Sequence, residues 1–319
     1  MTAPADAVLV IKLGALGDVV QALGPFAAIR HHHADDRVVL LTTAPYVELA
    51  RATGWFDEVL VDDRPRGIDV GGWLALRRRL RGGGFQRVYD LQTSSRSSFY
   101  LRLFWPGLPP EWFGIAPGCS HPHANPARDQ MHTIERQAEQ LRQAGIEAVP
   151  PPVTDWLPAA DAVAGPLGIE GPYALLAPGG AAHRPAKRWP ADAYGALANR
   201  LCDAGLRPVL VGGTDETPIH DVAVAVCPDA LSLAGATSLL DVAALARGAR
   251  LAVGNDTGPM HLAALAGCRS VILFSDVSDP ALCGQRGNDV TILRCPDLSD
   301  LSVDEVWAAT DGDALPPVP

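Results

Sequence analysis

The chain has 319 residues, of which 48% are hydrophobic and 19% charged, a globular composition that excludes an intrinsically disordered protein. Its formal net charge of −10 argues against broad nucleic-acid binding, so we expect no nucleic-acid partner. Six cysteines are scattered without a CxxC pair, a spacing that disfavours a zinc site. No apolar run approaches the roughly 20 residues that cross a bilayer. The first residues lack the basic region of a signal peptide, and we therefore expect a cytoplasmic protein.

The first half of the chain alternates short apolar runs with helical spacing. Apolar runs of this kind predict strands covered on both faces of a parallel sheet. The predicted strands are 8–12, 38–42, 58–61 and 87–91, and the predicted helices are 19–30, 47–52, 73–81 and 132–144. The segment 105–125 is rich in proline and glycine and is predicted to be a surface loop.

The pattern restarts after a proline-rich connection at 150–172. The second set of predicted strands is 173–177, 208–211, 251–253 and 270–274, and its predicted helices are 191–204, 239–247 and 259–266. We predict an α/β protein of two Rossmann-like, doubly wound domains that face a central cleft, with ligands at the carboxyl ends of the strands. The predicted domains are 1–160 and 161–319, and the last residues are candidates for packing back on the N-terminal domain.

The strongest local signal is the turn Asn255-Asp256-Thr257-Gly258-Pro259, which follows an apolar strand and opens a helix. Proline suits the first helical turn, and Asp256 or Thr257 is a natural N-cap. The free N–H groups and the positive end of the helix dipole make such a turn an anion site. An ordinary capped helix without a ligand explains the same residues.

Two further loops follow predicted strands of the second half. Arg184 and Lys187 lie in a basic loop and would neutralise a diphosphate, although a solvated basic loop is the simpler interpretation. Asp215 or Glu216, after the next strand, would accept hydrogen bonds from ribose hydroxyls, and a plain turn explains that segment almost as well.

The glycine turn Gly14-Ala15-Leu16-Gly17-Asp18 lies in the first half. Its Gly-x-x-Gly spacing does not match a dinucleotide fingerprint, which disfavours a nicotinamide-binding domain. Asp18 at the start of a helix is a candidate general base, with helix capping as the competing role.

Other charged runs carry weaker signals. Asp62-Asp63 is predicted to be a solvated turn. The segment Arg77 to Arg81 is predicted to form the solvent-exposed face of an amphipathic helix, or else to contact an anionic acceptor or an acidic membrane surface.

Three motifs occur in a set order: Lys12-Leu-Gly-Ala-Leu-Gly-Asp18-Val, Pro178-Gly with Lys187-Arg-Trp-Pro190, and Asn255-Asp-Thr-Gly-Pro-Met-His-Leu-Ala263. Together they resemble glycosyltransferase family nine, the ADP-heptose:lipopolysaccharide heptosyltransferases, from about residue 8 to 287. The resemblance implies a GT-B fold whose N-terminal domain holds the acceptor and whose C-terminal domain holds the ADP-sugar. It also implies an inverting transfer that is independent of metal and of any other cofactor.

The resemblance assigns roles to particular residues. Asp18 is the implied base, Lys187 contacts the donor phosphates, and Asp256, Thr257 and Gly258 line the donor's sugar and diphosphate. The remaining expected donor-side residues are His261, Asp215, Glu216 and Arg184, and the expected acceptor-side residues are Lys12, Gly17 and Arg96.

The implied partners are an ADP-sugar donor and a glycolipid or lipopolysaccharide-core acceptor, with peripheral contact at the inner membrane face. A sugar-nucleotide-binding protein without transfer activity is the alternative. A nicotinamide-dependent oxidoreductase is a weaker one.

Overall fold

A computed structural model describes residues 6–311 of the chain. The chain divides into two compact units, with the boundary between Trp156 and Leu157. Each unit contains one six-stranded sheet in which all paired strands are parallel.

The sheet of the first unit has the strand order β3-β2-β1-β4-β5-β6. Its strands are β1 (Ala7–Ile11), β2 (Arg37–Thr42), β3 (Glu58–Val61), β4 (Phe85–Asp90), β5 (Glu111–Gly114) and β6 (His121–Pro122). Its helices are α1 (Leu16–Val20), α2 (Leu23–His32), α3 (Val47–Ala52), α4 (Val70–Gly82), α5 (Ser95–Tyr100) and α6 (Thr133–Arg142).

The central strands of this sheet are buried on both faces, as their continuous apolar runs require. Leu9 and Ile11 of β1 belong to the core cluster that contains Leu76 and Leu80 of α4. Helix α2 packs against α6, whereas α4 packs against the 3-10 turn Leu101–Phe104. The arrangement leaves one side of α4 facing solvent.

The single helix predicted over 19–30 is two helices in the structure, α1 and α2. Pro25 lies in the first turn of α2 and has no N–H to donate to the carbonyl of Gln21, so a continuous helix across this point is disfavoured. The break confines α1 to a short segment that begins within the glycine turn, at Leu16.

The sheet of the second unit has the order β12-β11-β10-β7-β8-β9. Its strands are β7 (Tyr173–Ala177), β8 (Arg207–Gly212), β9 (Leu231–Ala234), β10 (Leu251–Asn255), β11 (Ser270–Phe274) and β12 (Val290–Arg294). Its helices are α7 (Ala160–Ala164), α8 (Ala191–Asp203), α9 (Thr217–Val226), α10 (Leu239–Gly248), α11 (Gly258–Leu265), α12 (Pro280–Cys283) and α13 (Val303–Ala309).

Both sheets follow the same strand order. Read from β3 and from β9, each sheet runs 3-2-1-4-5-6, the order of a Rossmann fold. The order reverses between β1 and β4 in the first unit and between β7 and β10 in the second. Ligands of such sheets bind outside the carboxyl ends of the strands at this reversal. The topology therefore indicates one candidate site in each unit.

Two further sequence interpretations are wrong. The segment 105–125 is not one loop, because it contains β5 and β6, which extend the sheet beyond β4. Asp62 is not in a solvated turn: it is buried and accepts a hydrogen bond from the Tyr100 hydroxyl at 2.5 Å.

The last described helix, α13, packs against α8 of the second unit. Residues 312–319, part of the segment predicted to pack back on the first domain, lie outside the described residues. Within 6–311, no helix combines the length and apolar character that crossing a membrane requires.

Candidate active site

In the second unit, Asn255 joins the loop that follows β7 to the end of β10, at the point where the strand order reverses. Its side chain is fully buried at the end of β10. The Asn255 Oδ1 atom accepts hydrogen bonds from the backbone N–H of Trp189 at 2.9 Å and the Tyr194 hydroxyl at 3.0 Å. Its Nδ2 donates to the carbonyls of Pro178 at 2.9 Å and Gly179 at 3.0 Å. The amide therefore fixes the loop after β7 against the end of β10.

Asp256, the next residue, is the centre of a polar cluster. The Lys187 ammonium lies 2.5 Å from Asp256 Oδ2, and both side chains are largely buried. The Ser278 hydroxyl donates to the same oxygen at 2.8 Å, and Gln285 Nε2 donates to Oδ1 at 3.1 Å. Two predicted donor-side residues, Lys187 and Asp256, are thus in direct contact. Ser278 and Gln285 were not predicted, because they follow β11 without a recognisable motif.

Thr257 and Gly258 form the start of α11. Thr257 occupies the N-cap position but makes no side-chain cap bond, contrary to the capping role suggested by the sequence. Its Oγ1 atom is buried and has no hydrogen-bond partner within the described part of the chain. The amino end of α11 therefore keeps uncapped donor capacity beside a buried hydroxyl.

Gly180, in the loop after β7, lies close to Thr257 and Arg188. Its φ of +154° falls at the edge of the region that favours glycine, and a Cβ there would lie 3.3 Å from Thr257 Cγ2 and 3.8 Å from Arg188 Nε. The Arg188 guanidinium donates to the Gly180 carbonyl, while its buried Nε has no partner among residues 6–311. Arg188 was not predicted as a site residue, although it lies in the basic loop that drew attention to Lys187.

The Glu216 carboxylate connects the loops that follow β7 and β8. Its Oε1 accepts from the Gly180 N–H at 2.6 Å and its Oε2 from the Gly213 N–H at 2.9 Å. Asp215, on the same 3-10 turn, is exposed, as is Arg184 in the basic loop. His261 is buried in α11. Of these predicted donor-side residues, Glu216 is the one that shapes the backbone of the site.

In the first unit, the residues after β1 meet those after β4. The buried Lys12 ammonium donates to the Leu91 carbonyl at 3.1 Å, and the Leu13 N–H donates to Gln92 Oε1 at 2.7 Å. Burial lowers the pKa of Lys12, and Asp18 and Asp90 act against that shift. Hydrogen bonds therefore connect the loops that follow β1 and β4, just as they connect the loop after β7 with the end of β10 in the second unit.

Asp18 lies in the first turn of α1, immediately after Gly17. Its Oδ2 accepts a hydrogen bond from the Ala15 N–H at 3.1 Å, and the side chain is half-buried. The Tyr46 ring lies against Gly14, where an added Cβ would be 2.9 Å from Tyr46 Cε2. Burial raises the pKa of Tyr46, with Asp18 adding to the effect and Arg64 opposing it. The carboxylate thus takes a capping position and still faces solvent.

A group of buried polar side chains lies near Lys12. Asp90 is fully buried, and burial raises its pKa to about 6. The Arg128 side chain is 11% exposed, and its Nε and Nη2 atoms have no hydrogen-bond partner within residues 6–311. Burial lowers the pKa of Arg128, and the neighbouring Arg136 lowers it further. Arg128 follows a proline-rich segment, which is why sequence reasoning passed over it.

Arg96, predicted on the acceptor side, makes its described contacts elsewhere. Its guanidinium donates to the Tyr100 hydroxyl at 3.2 Å and to the Pro65 carbonyl at 3.1 Å, and it lies over the Trp73 ring. None of these partners is a predicted site residue.

A family model described as glycosyltransferase family 9 (heptosyltransferase) matches residues 73–301. The chain belongs to this family. The family identification made from the sequence motifs is confirmed.

Individual relatives are similar over different lengths. Lipooligosaccharide heptosyltransferase 2 of Haemophilus influenzae is 32% identical over 120 residues, which are 36% of this chain and 34% of that protein. The match thus spans about a third of that relative.

Three solved structures are similar to almost the whole chain. The ADP-heptose lipopolysaccharide heptosyltransferase II of E. coli has a TM-score of 0.80 at 20% identity, covering 96% of this chain and 97% of its own. The family 9 glycosyl transferase of Veillonella parvula has a TM-score of 0.79 at 19% identity, with coverage of 98% and 97%. The E. coli heptosyltransferase WaaC, solved with ADP, has a TM-score of 0.76 at 21% identity, with coverage of 97% and 100%. The predicted α/β fold of the GT-B type, with two Rossmann-like units, is confirmed.

The two sites of this family 9 chain differ in chemistry. The second-unit site combines a lysine, an arginine, a helix amino end and a buried hydroxyl, all suited to phosphate oxygens. The first-unit site pairs a half-buried carboxylate with buried cations. Within the described residues, no three side chains of the His, Cys, Asp or Glu type are grouped to hold a metal ion.

Proposed function

We propose that this family 9 protein is an inverting glycosyltransferase that moves a heptose or related sugar from an ADP-sugar to a lipopolysaccharide-type acceptor, without a metal. In this proposal the domain of residues 1–160 binds the acceptor and that of 161–319 binds the donor. The observation that carries the proposal is the set of Lys187, Arg188 and the uncapped start of α11 at the switch point of the second unit.

The donor-side chemistry follows from charge. When the glycosidic bond breaks, negative charge accumulates on the leaving diphosphate. Lys187, Arg188 and the N–H groups around Gly258 stabilise that charge because they are fixed before the reaction begins. The ion pair with Asp256 orients Lys187, and Ser278 and Gln285 hold Asp256 in turn. In this proposal Thr257 and His261 complete this wall, Arg184 adds positive charge for the diphosphate, and Asp215 or Glu216 accepts hydrogen bonds from the ribose hydroxyls.

The acceptor-side chemistry is assigned to Asp18. Its carboxylate takes the proton of the acceptor hydroxyl as that oxygen attacks the anomeric carbon, and ADP leaves from the opposite face. A single displacement of this kind inverts the anomeric configuration. Lys12, Gly17 and Arg96 are assigned to the acceptor side with Asp18, which is close enough to Lys12 to raise its pKa.

The buried cations near Asp90 support an anionic acceptor. Arg128 has two buried nitrogen atoms without partners, and Arg136 lies close enough to lower its pKa further. A carboxylate or phosphate on the acceptor would satisfy those nitrogens by charge-assisted hydrogen bonds. Lipopolysaccharide-type acceptors offer such groups.

The decisive experiment measures ADP release from ADP-heptose with the purified chain and a lipopolysaccharide-core acceptor. We expect turnover in the wild type and a loss of at least about 100-fold in Asp18→Asn, the scale of general base catalysis. Calorimetry should give the variant nearly wild-type affinity for ADP. Full activity of Asp18→Asn would refute the assigned base, and ADP binding without any turnover by the wild type would favour a non-catalytic sugar-nucleotide-binding protein.

A further inference from the structure

The solvent-facing side of α4 is unusual for a chain of net charge −10. Residues 64–109 contain nine arginines and two aspartates, and they contain no lysine, histidine or glutamate. Six of the eleven large hydrophobic side chains that are exposed among the described residues also fall in this stretch: Ile68, Val70, Leu74, Phe99, Trp105 and Leu108. Positive charge and exposed apolar area therefore coincide in one part of the first unit.

Helix geometry places several of these residues on the same face of α4. At 100° per residue, Val70, Leu74, Arg77, Arg78 and Arg81 lie on one side. The buried residues Leu76 and Leu80 lie on another side, toward the core. The outward face is therefore apolar near the amino end of α4 and cationic near its carboxyl end.

The residues after α5 extend this face. Arg77 donates from Nε to the Leu103 carbonyl at 3.2 Å and from Nη2 to the Trp105 carbonyl at 2.6 Å. Arg81 Nη2 lies 3.5 Å from the position of a Cβ at Gly107. Trp105 is 75% exposed and Leu108 is 96% exposed. An apolar hollow lined by Leu101, Arg102 and Pro109 adjoins them. We call the outward face of α4 together with residues 105–109 the α4–Trp105 surface.

We infer that the α4–Trp105 surface binds the face of an anionic lipid bilayer. Trp105 and Leu108 would enter the headgroup region, where tryptophan is favoured, and Arg78, Arg81 and Arg102 would contact lipid phosphates. Arginine suits this role because its guanidinium forms paired hydrogen bonds with phosphate. Arg79 and Arg87 pair with Asp63 and Glu111 of the chain itself, whereas Arg78, Arg81 and Arg102 have no ion pair among the described residues and remain available to lipid phosphates. A protein partner would need its own acidic residues opposite these three arginines as well as an apolar pocket for Trp105 and Leu108.

The inference goes beyond the proposed transfer reaction and does not depend on it. It concerns a surface that contains none of the residues assigned to donor or acceptor chemistry. Vesicles without an acceptor, and protein without an ADP-sugar, can therefore test it alone.

The test is cosedimentation of the full chain with vesicles of phosphatidylethanolamine and phosphatidylglycerol, compared with vesicles of phosphatidylcholine. We expect binding to the anionic vesicles, weakening in high salt, and little binding to phosphatidylcholine. The variant Arg78→Gln/Arg81→Gln should lower the partition coefficient about 30-fold, because each arginine near such a surface contributes about fivefold. The variant Trp105→Ser/Leu108→Ser should lower it without removing the salt dependence.

The matched control is Arg51→Gln/Arg142→Gln, which removes two exposed arginines from α3 and α6. It has the same net charge as Arg78→Gln/Arg81→Gln and should bind within twofold of the wild type. Circular dichroism melting of all variants checks that they fold. Failure of the wild type to bind anionic vesicles would overturn the inference, as would an equal loss in the control. Transfer to a deacylated, lipid-free acceptor should be unchanged in Arg78→Gln/Arg81→Gln, which separates a failure of this inference from a failure of the proposed function.

Discussion

Lys187 is the residue whose proposed contribution to donor binding can be measured most directly. Its ammonium is largely buried beside Asp256, so its contact with a phosphate oxygen would be weakly screened by solvent. Lys187→Ala should weaken ADP binding by about 1–3 kcal/mol, the scale of a charge-assisted hydrogen bond. Isothermal titration calorimetry with ADP measures this loss.

The comparison variant is Arg184→Ala in the same loop. Because Arg184 is exposed, its removal should cost less than about 1 kcal/mol. Equal effects of the two substitutions, or an unchanged affinity in Lys187→Ala, would contradict the assigned role of Lys187.

Asp90 gives a prediction about pH. Burial raises its folded-state pKa from 3.8 to about 6, so the folded state favours the protonated carboxyl more than the unfolded state does. The stability that this contributes is present at low pH and is lost as pH rises through about 6. Relative to wild type, Asp90→Asn should therefore gain about 2 kcal/mol in unfolding free energy between pH 4.5 and pH 7.5.

Urea denaturation of both proteins at the two pH values measures this difference. Asparagine keeps an oxygen that can accept from the Thr93 N–H, as Asp90 Oδ1 does at 3.0 Å, so the substitution mainly removes the titration. A difference between the two proteins that stays constant with pH would show that Asp90 does not titrate in this range.

Single residues also mark the limit of sequence reasoning at the site. Asp18, Lys187 and Asp256 were predicted because each lies in a motif that follows a strand. Gln285 and Ser278 reach Asp256 from segments that follow β11, and no local pattern reveals a contact that only the tertiary fold creates. The roles assigned to all of these residues remain predictions until the substitutions are made.

At the scale of the elements, the loop after β7 depends on the absence of a side chain at Gly179. A Cβ there would lie 1.8 Å from Glu216 Oε1, so the carboxylate that holds Gly180 and Gly213 would have to move. Gly179→Ala should therefore weaken ADP binding at least about tenfold, because the loop after β7 loses its fixed conformation.

Gly213→Ala serves as the control, since a Cβ at Gly213 meets nothing within 4 Å. It should bind ADP as the wild type does. Equal affinity of both variants would mean that Glu216 does not position this loop for the donor.

Which elements could be predicted depends on their burial. The central strands β1, β2, β7, β10 and β11 are almost entirely buried, and their continuous apolar runs identify them. Of the edge strands, β3 was predicted, whereas β6, β9 and β12 were missed: β6 has two residues and includes a proline, and β9 and β12 are only partly buried. The inner strand β5 was also missed, within the segment predicted to be a loop. Edge strands need fewer apolar residues because one of their sides is unpaired, so their sequences resemble loops.

At the scale of the whole molecule, the second unit has a core of its own, in which Trp189, Tyr194 and Leu197 of the loop and α8 pack on the buried strands. A unit with its own core can fold alone. We predict that a fragment of residues 157–319 is folded and binds ADP. Its affinity should be at most about tenfold lower than that of the full chain, because it lacks any nucleotide contacts that the first unit supplies. Circular dichroism and calorimetry measure both properties, and a folded fragment without ADP affinity would contradict the assignment of the donor to this unit.

The repeated 3-2-1-4-5-6 strand order has a consequence for how such a protein can change over time. Because each unit carries its own reversal of strand order, it can acquire a new ligand preference through its loops while the other unit is preserved. Recombination between relatives at the junction of Trp156 and Leu157 would then exchange one preference at a time. Chimaeras joined at that junction would test whether the proposed acceptor and donor preferences separate between the two units.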